Sequence, residues 1–169
     1  MPKTIPAPGA TSETVEVAAQ EPRWLDEQEM AAWLPLMRVL QLLPQQLDRQ
    51  LREQAGINHT YYMIMVLLSA QPEREMTLSS LAQGVGMIPS RLTHALTSLE
   101  GRGWVARKRC ATDRRVQYAR LTDDGLRALE QAAPGHVAEV RRTVIDRLSR
   151  RDLADLRRIA EKIAAPLEA

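Results

Sequence analysis

Four polar side chains in the middle of the sequence have the spacing and chemistry to contact nucleic acid. Ser90, Arg91, Thr93 and His94 fall on one face of a predicted helix whose other face is apolar. Hydroxyl, guanidinium and imidazole groups can hydrogen-bond to base edges and phosphate oxygens. We therefore predict that these four residues contact DNA. A solvated helix face with no ligand is the alternative.

A concentration of basic residues follows this helix. Between residues 102 and 120 the one acidic residue is Asp113. Such a local charge excess is typical of a phosphate-binding surface, and arginine is favoured in a narrow minor groove. Asp113 is expected to accept hydrogen bonds from its turn or to orient an arginine. The predicted DNA contacts here are Arg107, Asp113, Arg114 and Arg115, with a solvated run of charge as the alternative.

The elements that must position these residues read as two helices joined by a tight turn, followed by a hairpin. Thr77 is a suitable N-cap for the first helix, and Pro89 suits the first turn of the second. Residues 104–110 and 116–121 predict two strands joined by residues 111–115. This order predicts a helix-turn-helix with a basic wing.

Long amphipathic helices are predicted on both sides of this unit. Asp26 with Glu29 forms a capping box that opens a helix ending near Gly56. Pro35 and Pro44 are expected to kink or break it, because each removes a backbone donor. Asn58 is a plausible N-cap for a second helix.

The C-terminal part of the chain repeats these signals. Thr122 is expected to cap a long helix with a bend at Pro134, and Ser149 with Asp152 predicts another capping box.

We predict a mainly α fold with a small β-hairpin wing, a winged helix-turn-helix domain plus a helical dimerisation region. The predicted division is a disordered tail at 1–22, a dimerisation helix at 23–57, the DNA-binding domain at 58–122 and dimerisation helices at 123–169.

Composition supports a folded chain made mostly of helices. The 169 residues are 44% hydrophobic and 26% charged, with 4% aromatic residues and no Phe. An aliphatic core of this kind suits packed helices. The single cysteine, Cys110, allows no intrachain disulfide and fits a reducing cytoplasm. The sequence shows no signal peptide and no apolar stretch long enough to span a membrane, so we expect no membrane association.

Enzyme motifs are missing from the sequence. There is no G-x-S-x-G motif, no phosphate-cradling loop and no H-E-x-x-H motif. His59, His94 and His136 are far apart and lack metal-ligand spacing. We therefore predict no catalytic residues, no metal and no cofactor.

The chain resembles the MarR family of winged helix-turn-helix transcription regulators over residues 24–165. The residues that carry the resemblance are Thr77–Ala82, Leu99–Val105, Asp113–Arg115 and Leu121–Gly125, in the order and at the spacing of the family pattern. Residues 33–51 and 58–68 also look similar to an actinobacterial branch. Ile88 and Pro89 depart from the small polar residues that usually start the family's recognition helix.

The resemblance implies a homodimer whose recognition helices enter successive major grooves while wing arginines reach the minor groove. It also implies that a small lipophilic or phenolic ligand releases DNA, although some members respond to thiol oxidation or zinc. Ordinary helix packing is the alternative for the residues near the expected pocket, and an incidental side chain is the alternative for Cys110. The candidate ligand-binding residues are Trp33, Met37, His59 and Tyr62.

These observations predict a regulator, with a repressor of a pseudo-palindromic operator as the leading interpretation. A winged-helix module for protein–protein interaction without DNA binding is one alternative, although it leaves the basic wing unexplained. A redox-responsive regulator acting through Cys110 is another.

Overall fold

A computed structural model describes residues 22–109, 113 and 115–167. The described part is mostly helical with one small antiparallel sheet, as the sequence predicts. Short 3-10 turns at Pro72–Arg74, Ile145–Arg147 and Ala165–Leu167 complete it. The helices are α1 (Glu27–Ala55), α2 (His59–Ser69), α3 (Leu78–Gly84), α4 (Pro89–Gly101), α5 (Asp123–Thr143) and α6 (Arg150–Ala164), and the strands are β1 (Glu75–Thr77), β2 (Val105–Arg109) and β3 (Gln117–Leu121).

The predicted helix starts are confirmed by their side-chain caps. The capping boxes at Asp26 and Ser149 are both formed. Asn58, Thr77 and Thr122 each accept a hydrogen bond from a backbone N–H of the first turn that they precede. These bonds satisfy donors that have no partner within the helix, which fixes where each helix begins.

Of the kink or break expected at the prolines of α1, no break occurs. The helix runs without interruption through Pro35 and Pro44, and α5 likewise continues through Pro134. Each proline removes only one backbone donor, and the remaining turns keep their hydrogen bonds on either side. Helix α1 ends where Gly56 adopts a left-handed conformation with φ of 64°. Glycine accepts this backbone geometry without strain.

The sheet has the strand order β1-β3-β2, with both pairs antiparallel. Strands β2 and β3 form the predicted wing, with Val105 opposite Leu121 and Arg109 opposite Gln117. Strand β1 is an addition that the sequence did not reveal. Its residues just before α3 pair with β3, so the wing is tied to the start of the helix-turn-helix.

One continuous core joins the helix-turn-helix and its hairpin, here called the reading unit (α2 to β3), to the end of α1 and to α5. Ile64 of α2 and Leu96 of α4 are fully buried in it. The same cluster contains Leu51 from the end of α1 and Leu129 from α5. The predicted boundaries near residues 57 and 122 therefore fall within one packed unit.

Two helical segments leave apolar side chains exposed. The first half of α1 exposes Trp33, Leu34 and Leu40, among others. On α6, Leu156, Ile159 and Ile163 share a face and are each 45–46% exposed. None of the residues of α6 is buried. Contiguous exposed apolar surface of this kind marks an interaction site.

The first turn of α5 lies unusually close to the chain that enters the wing. A Cβ built on Gly125 would lie 2.1 Å from the carbonyl oxygen of Trp104. That carbonyl accepts a 3.0 Å hydrogen bond from the N–H of Thr122, which holds the two segments together. The glycine thus permits a backbone approach that no side chain could accommodate.

Candidate nucleic-acid interface

Helix α4 presents a polar face to solvent and an apolar face to the core. Leu92, Leu96 and Leu99 are buried, which fixes the helix rotation. The predicted contact residues on the opposite side are all exposed. The hydroxyl of Thr93 donates to the carbonyl of Pro89 at 2.9 Å, so its oxygen remains available as an acceptor. The exposed residues are Ser90, Arg91, Thr93 and His94.

A tight turn sets the angle between α3 and α4. The N–H of Val85 donates to the carbonyl of Leu81, and that of Met87 donates to Ala82. Gly86 has φ of 64°, in the left-handed region that favours glycine. Pro89 occupies the first turn of α4, and Ile88 supplies no side-chain cap. The N–H groups at this helix start are therefore not satisfied by a side chain of the residue before it.

Arg107 contacts α4 instead of projecting freely from the wing. Its guanidinium is paired with the carboxylate of Glu100. Its backbone N–H donates to the same carboxylate at 3.1 Å. Glu100 therefore binds β2 to the end of α4, and this contact fixes the position of the wing relative to that helix. The sequence-based prediction of a direct DNA contact by Arg107 did not include this partner.

Lys108 is also engaged within the protein. Its ammonium lies 2.7 Å from the carboxylate of Glu75 on β1 and 5.9 Å from the ring centroid of Tyr118. Arg102 stacks on the Trp104 ring at 4.9 Å. Lys108 and Arg102 therefore have partners within the protein, whereas Arg109, Arg115 and Arg120 are exposed.

At the wing tip, Asp113 organises the turn and Arg115 is exposed. The Asp113 carboxylate accepts a 2.9 Å hydrogen bond from the N–H of Arg115, and its carbonyl accepts one from Val116 at 3.0 Å. This geometry shapes the turn and leaves the Arg115 side chain in solvent. Arg114 and Cys110 lie outside the described residues.

The four candidate ligand-binding residues do not come together within one chain. His59 and Tyr62 lie at the start of α2, where the N–H of His59 donates to Asp48 of α1 at 2.9 Å. Met37 precedes Asp48 by eleven residues, which corresponds to roughly 16 Å along the helix, and Trp33 is a turn further away. Trp33 and Met37 belong to the exposed half of α1.

A buried polar cluster joins α1, α2 and α5 beside His59. His136 of α5 is 7% exposed and lies 4.3 Å from Tyr62 and 5.6 Å from His59, measured between ring centroids. Its Nδ1 lies 3.3 Å from Oε1 of Gln50, which is also buried. His136 is a member of this cluster that the sequence did not single out, because its partners are far away in the chain.

Burial lowers the pKa of both histidines. For His136, the nearby His59 lowers the pKa further, while Glu139 acts in the opposite direction. For His59, desolvation outweighs the attraction of Asp48. Burial also raises the pKa of Tyr62, which keeps its hydroxyl protonated. At neutral pH the imidazoles of His59 and His136 and the phenol of Tyr62 are therefore uncharged. The charged groups beside them are the carboxylates of Asp48 and Glu139.

We expect the free energy of unfolding to fall as the pH is lowered below about 6.5. Both histidines have a lower pKa in the folded chain than in the unfolded chain, so the unfolded chain binds more protons in that range. Their contribution is complete above about 6.5 and is lost toward the folded pKa. Urea unfolding at a series of pH values measures this slope.

The variant His136→Gln keeps a polar side chain and removes one titrating group, so its slope between pH 5 and about 6.5 should be smaller. Glu139 and Asp48 each have a lowered pKa and contribute only at more acidic pH. An unchanged slope in His136→Gln would contradict the assignment to this residue.

The same part of the chain offers neither a metal site nor a membrane span. Within the ranges that the structure describes, no cluster of three or more His, Cys, Asp or Glu side chains could hold a metal ion. None of the helices described is long and apolar enough to cross a bilayer.

The turn, the exposed polar helix and the adjoining basic hairpin define a winged helix-turn-helix protein of the DNA-binding class. Comparisons with known proteins agree. The model of the MarR family matches residues 57–116. By sequence and structure together, the chain belongs to the MarR family of transcriptional regulators, and it is not an enzyme.

Two crystal structures from Streptomyces coelicolor are similar over nearly the whole chain. The MarR family regulator Sco3205, solved in complex with DNA, is 41% identical with a TM-score of 0.84, covering 88% of this chain and 93% of its own. The MarR family regulator AbsC is 38% identical with a TM-score of 0.82, covering 86% and 98%.

The transcriptional repressor MprA of Escherichia coli K12 is similar over a shorter region. It is 32% identical over 79 residues, which cover 47% of this chain. The chain thus matches less than half of the length of that repressor, 45%.

Proposed function

We propose that the protein is a cytoplasmic repressor that binds a pseudo-palindromic operator as a homodimer. The observation that carries this proposal is the exposed face of α4, with Arg91 and His94, beside a hairpin whose tip exposes Arg115. Support comes from Sco3205, which was crystallised with DNA, and from MprA, which is named a repressor. Operator position relative to the promoter then determines repression.

In this proposal α4 enters the major groove and the wing follows the adjacent minor groove. Arg91 supplies charge and Ser90, Thr93 and His94 supply hydrogen-bonding groups toward base edges and phosphates. Arg114 and Arg115 reach the minor groove, where the negative potential is enhanced. Arg107 acts through its contact with Glu100, which holds the wing in register with α4.

The homodimer is proposed from the apolar surfaces that a single chain leaves in solvent. Burying α6 and the first half of α1 against a second copy would remove side chains such as Leu34, Leu40 and Ile159 from water. A two-fold dimer carries two recognition helices, which matches two half-sites roughly 34 Å apart on one side of the duplex.

A small lipophilic or phenolic effector is the proposed signal. The cluster of His59, Tyr62 and His136 joins α1 and α5 to α2. A ligand that changes the packing of this cluster would therefore change the relative position of the two DNA-binding units in the proposed dimer. Trp33 and Met37 lie on the apolar face that the dimer would bury. Release of DNA follows if the ligand binds the non-DNA-binding arrangement more tightly.

Binding to a duplex from upstream of the protein's own gene tests the proposal. The expected result is a preference of about a thousandfold over a random duplex, with affinity that falls steeply as salt is raised. Equal binding to both duplexes would remove sequence specificity at that site. Absence of binding even at low salt would favour a role in protein–protein interaction.

We expect Arg115→Ala to weaken operator binding by about tenfold while the dimer stays intact. The loss of a minor-groove arginine removes a charge-assisted contact but touches no core residue. Fluorescence anisotropy with a labelled operator measures the affinity. Arg151→Ala, at the exposed start of α6, removes the same charge away from the wing and serves as the control. Wild-type affinity in Arg115→Ala would contradict the wing assignment.

A further inference from the structure

A concavity of about 360 Å³ separates the start of α2 from the outward face of α4. One wall is formed by Arg91 and His94 of α4, and the other by Thr60 and Tyr61 of α2. Asn58, Met87, Ser90 and Ala95 complete the lining. Among the described residues, none that lines this concavity is acidic.

The side chains on the α2 wall have hydrogen-bonding capacity that the protein does not use. Within the described part of the chain, the hydroxyls of Thr60 and Tyr61 have no hydrogen-bond partner, and neither is a buried unsatisfied group. Two backbone donors there are occupied, because the N–H of Tyr61 donates to the Asn58 side chain and the N–H of His59 donates to the Asp48 side chain. The hydroxyls of Thr60 and Tyr61 are therefore side-chain donors that this wall offers.

The position of this wall relative to α4 decides which part of a duplex it would meet. A helix that enters the major groove, which is about 12 Å wide, is flanked on both sides by phosphates. A surface one concavity away from α4 meets this edge and not the bases. A cationic guanidinium, an imidazole and two hydroxyls, with no carboxylate, match the chemistry of a phosphodiester oxygen.

We propose that Thr60 and Tyr61 of α2 bind the DNA backbone at the edge of the major groove that α4 occupies. The inference rests on the proposed DNA-binding function and adds a second element to it. Thr60 and Tyr61 donate their hydroxyl hydrogens to phosphate oxygens, and Arg91 faces the same phosphate from the opposite wall. These contacts set the depth and register of α4 and carry no sequence information.

The test uses the full-length protein, a duplex from upstream of its gene and a duplex of random sequence. Thr60→Val and Tyr61→Phe each remove a hydroxyl and keep the shape of the side chain. Ser69→Ala is the control, because it removes a hydroxyl from the other end of α2, where that group donates to Val66. Thermal unfolding followed by circular dichroism confirms that each variant is folded.

Weaker binding of both duplexes by the same factor, about tenfold in Thr60→Val with Tyr61→Phe combined, is the expected result. Affinities equal to wild type on both duplexes would overturn the inference. A loss confined to the upstream duplex would also overturn it, because the hydroxyls would then be reading bases. Failure of the wild-type protein to bind either duplex would instead remove the proposed function, and the inference with it.

Discussion

Gly125→Ala is expected to destabilise the protein by about 3 kcal/mol or more. The added methyl group would lie 2.1 Å from the carbonyl oxygen of Trp104 and 2.7 Å from Cδ1 of Leu121. The leucine could move, but the carbonyl is backbone and is held by the N–H of Thr122. Relief of the clash would require the first turn of α5 to separate from the entry to the wing.

Urea unfolding of the two proteins at neutral pH measures this loss. Gly101→Ala is the matched control, because Gly101 is also helical and a Cβ there would meet nothing within 4 Å. The control should be neutral or slightly stabilising, since alanine is the better helix residue by up to about 1 kcal/mol. Equal stability of Gly125→Ala and Gly101→Ala would show that the close approach to Trp104 does not exist in solution.

Ile159→Glu is expected to convert the proposed dimer to a monomer and to weaken operator binding by about a hundredfold or more. The side chain is 45% exposed in the single chain, so the fold itself tolerates the change. In a dimer that buries α6, the substitution places a charge in an apolar interface, which is costly without a partner. Loss of the second reading unit then removes the advantage of binding two half-sites together.

Light scattering after size-exclusion chromatography gives the mass, and anisotropy gives the operator affinity. Arg157→Gln lowers the net charge by the same amount on the opposite side of α6, where the side chain is exposed, and should behave like the wild type. A dimeric Ile159→Glu with unchanged affinity would exclude this face of α6 as the dimer surface.

Local signals in the sequence identified most of the fold. Caps at Asp26, Thr77, Thr122 and Ser149 depend on residues three apart, so they can be read without knowing the tertiary structure. Strand β1 was missed because three residues are too few to show alternation, and its pairing with β3 links residues that are over forty positions apart. Continuity of α1 through its prolines could not be read from a local rule.

The candidate site also has features that follow from the local sequence and features that depend on tertiary packing. The exposed side of α4 follows from its periodicity, because Leu92, Leu96 and Leu99 must face the core. The role of Arg107 does not, since its partner Glu100 is determined by how the hairpin folds back on the helix. His136 joins His59 and Tyr62 only through the packing of α5 on α2.

The length of α1 links events that occur far apart. Its 29 residues extend roughly 43 Å, and its C-terminal end is anchored by Leu51 in the same core as α4. The other end projects into solvent. Because α1 is anchored only near its C-terminal end, it acts as a lever: a small tilt of the DNA-binding unit becomes a large displacement of the N-terminal end of α1. Any contact that restrains the N-terminal end of α1 therefore restrains the angle at which the protein meets DNA.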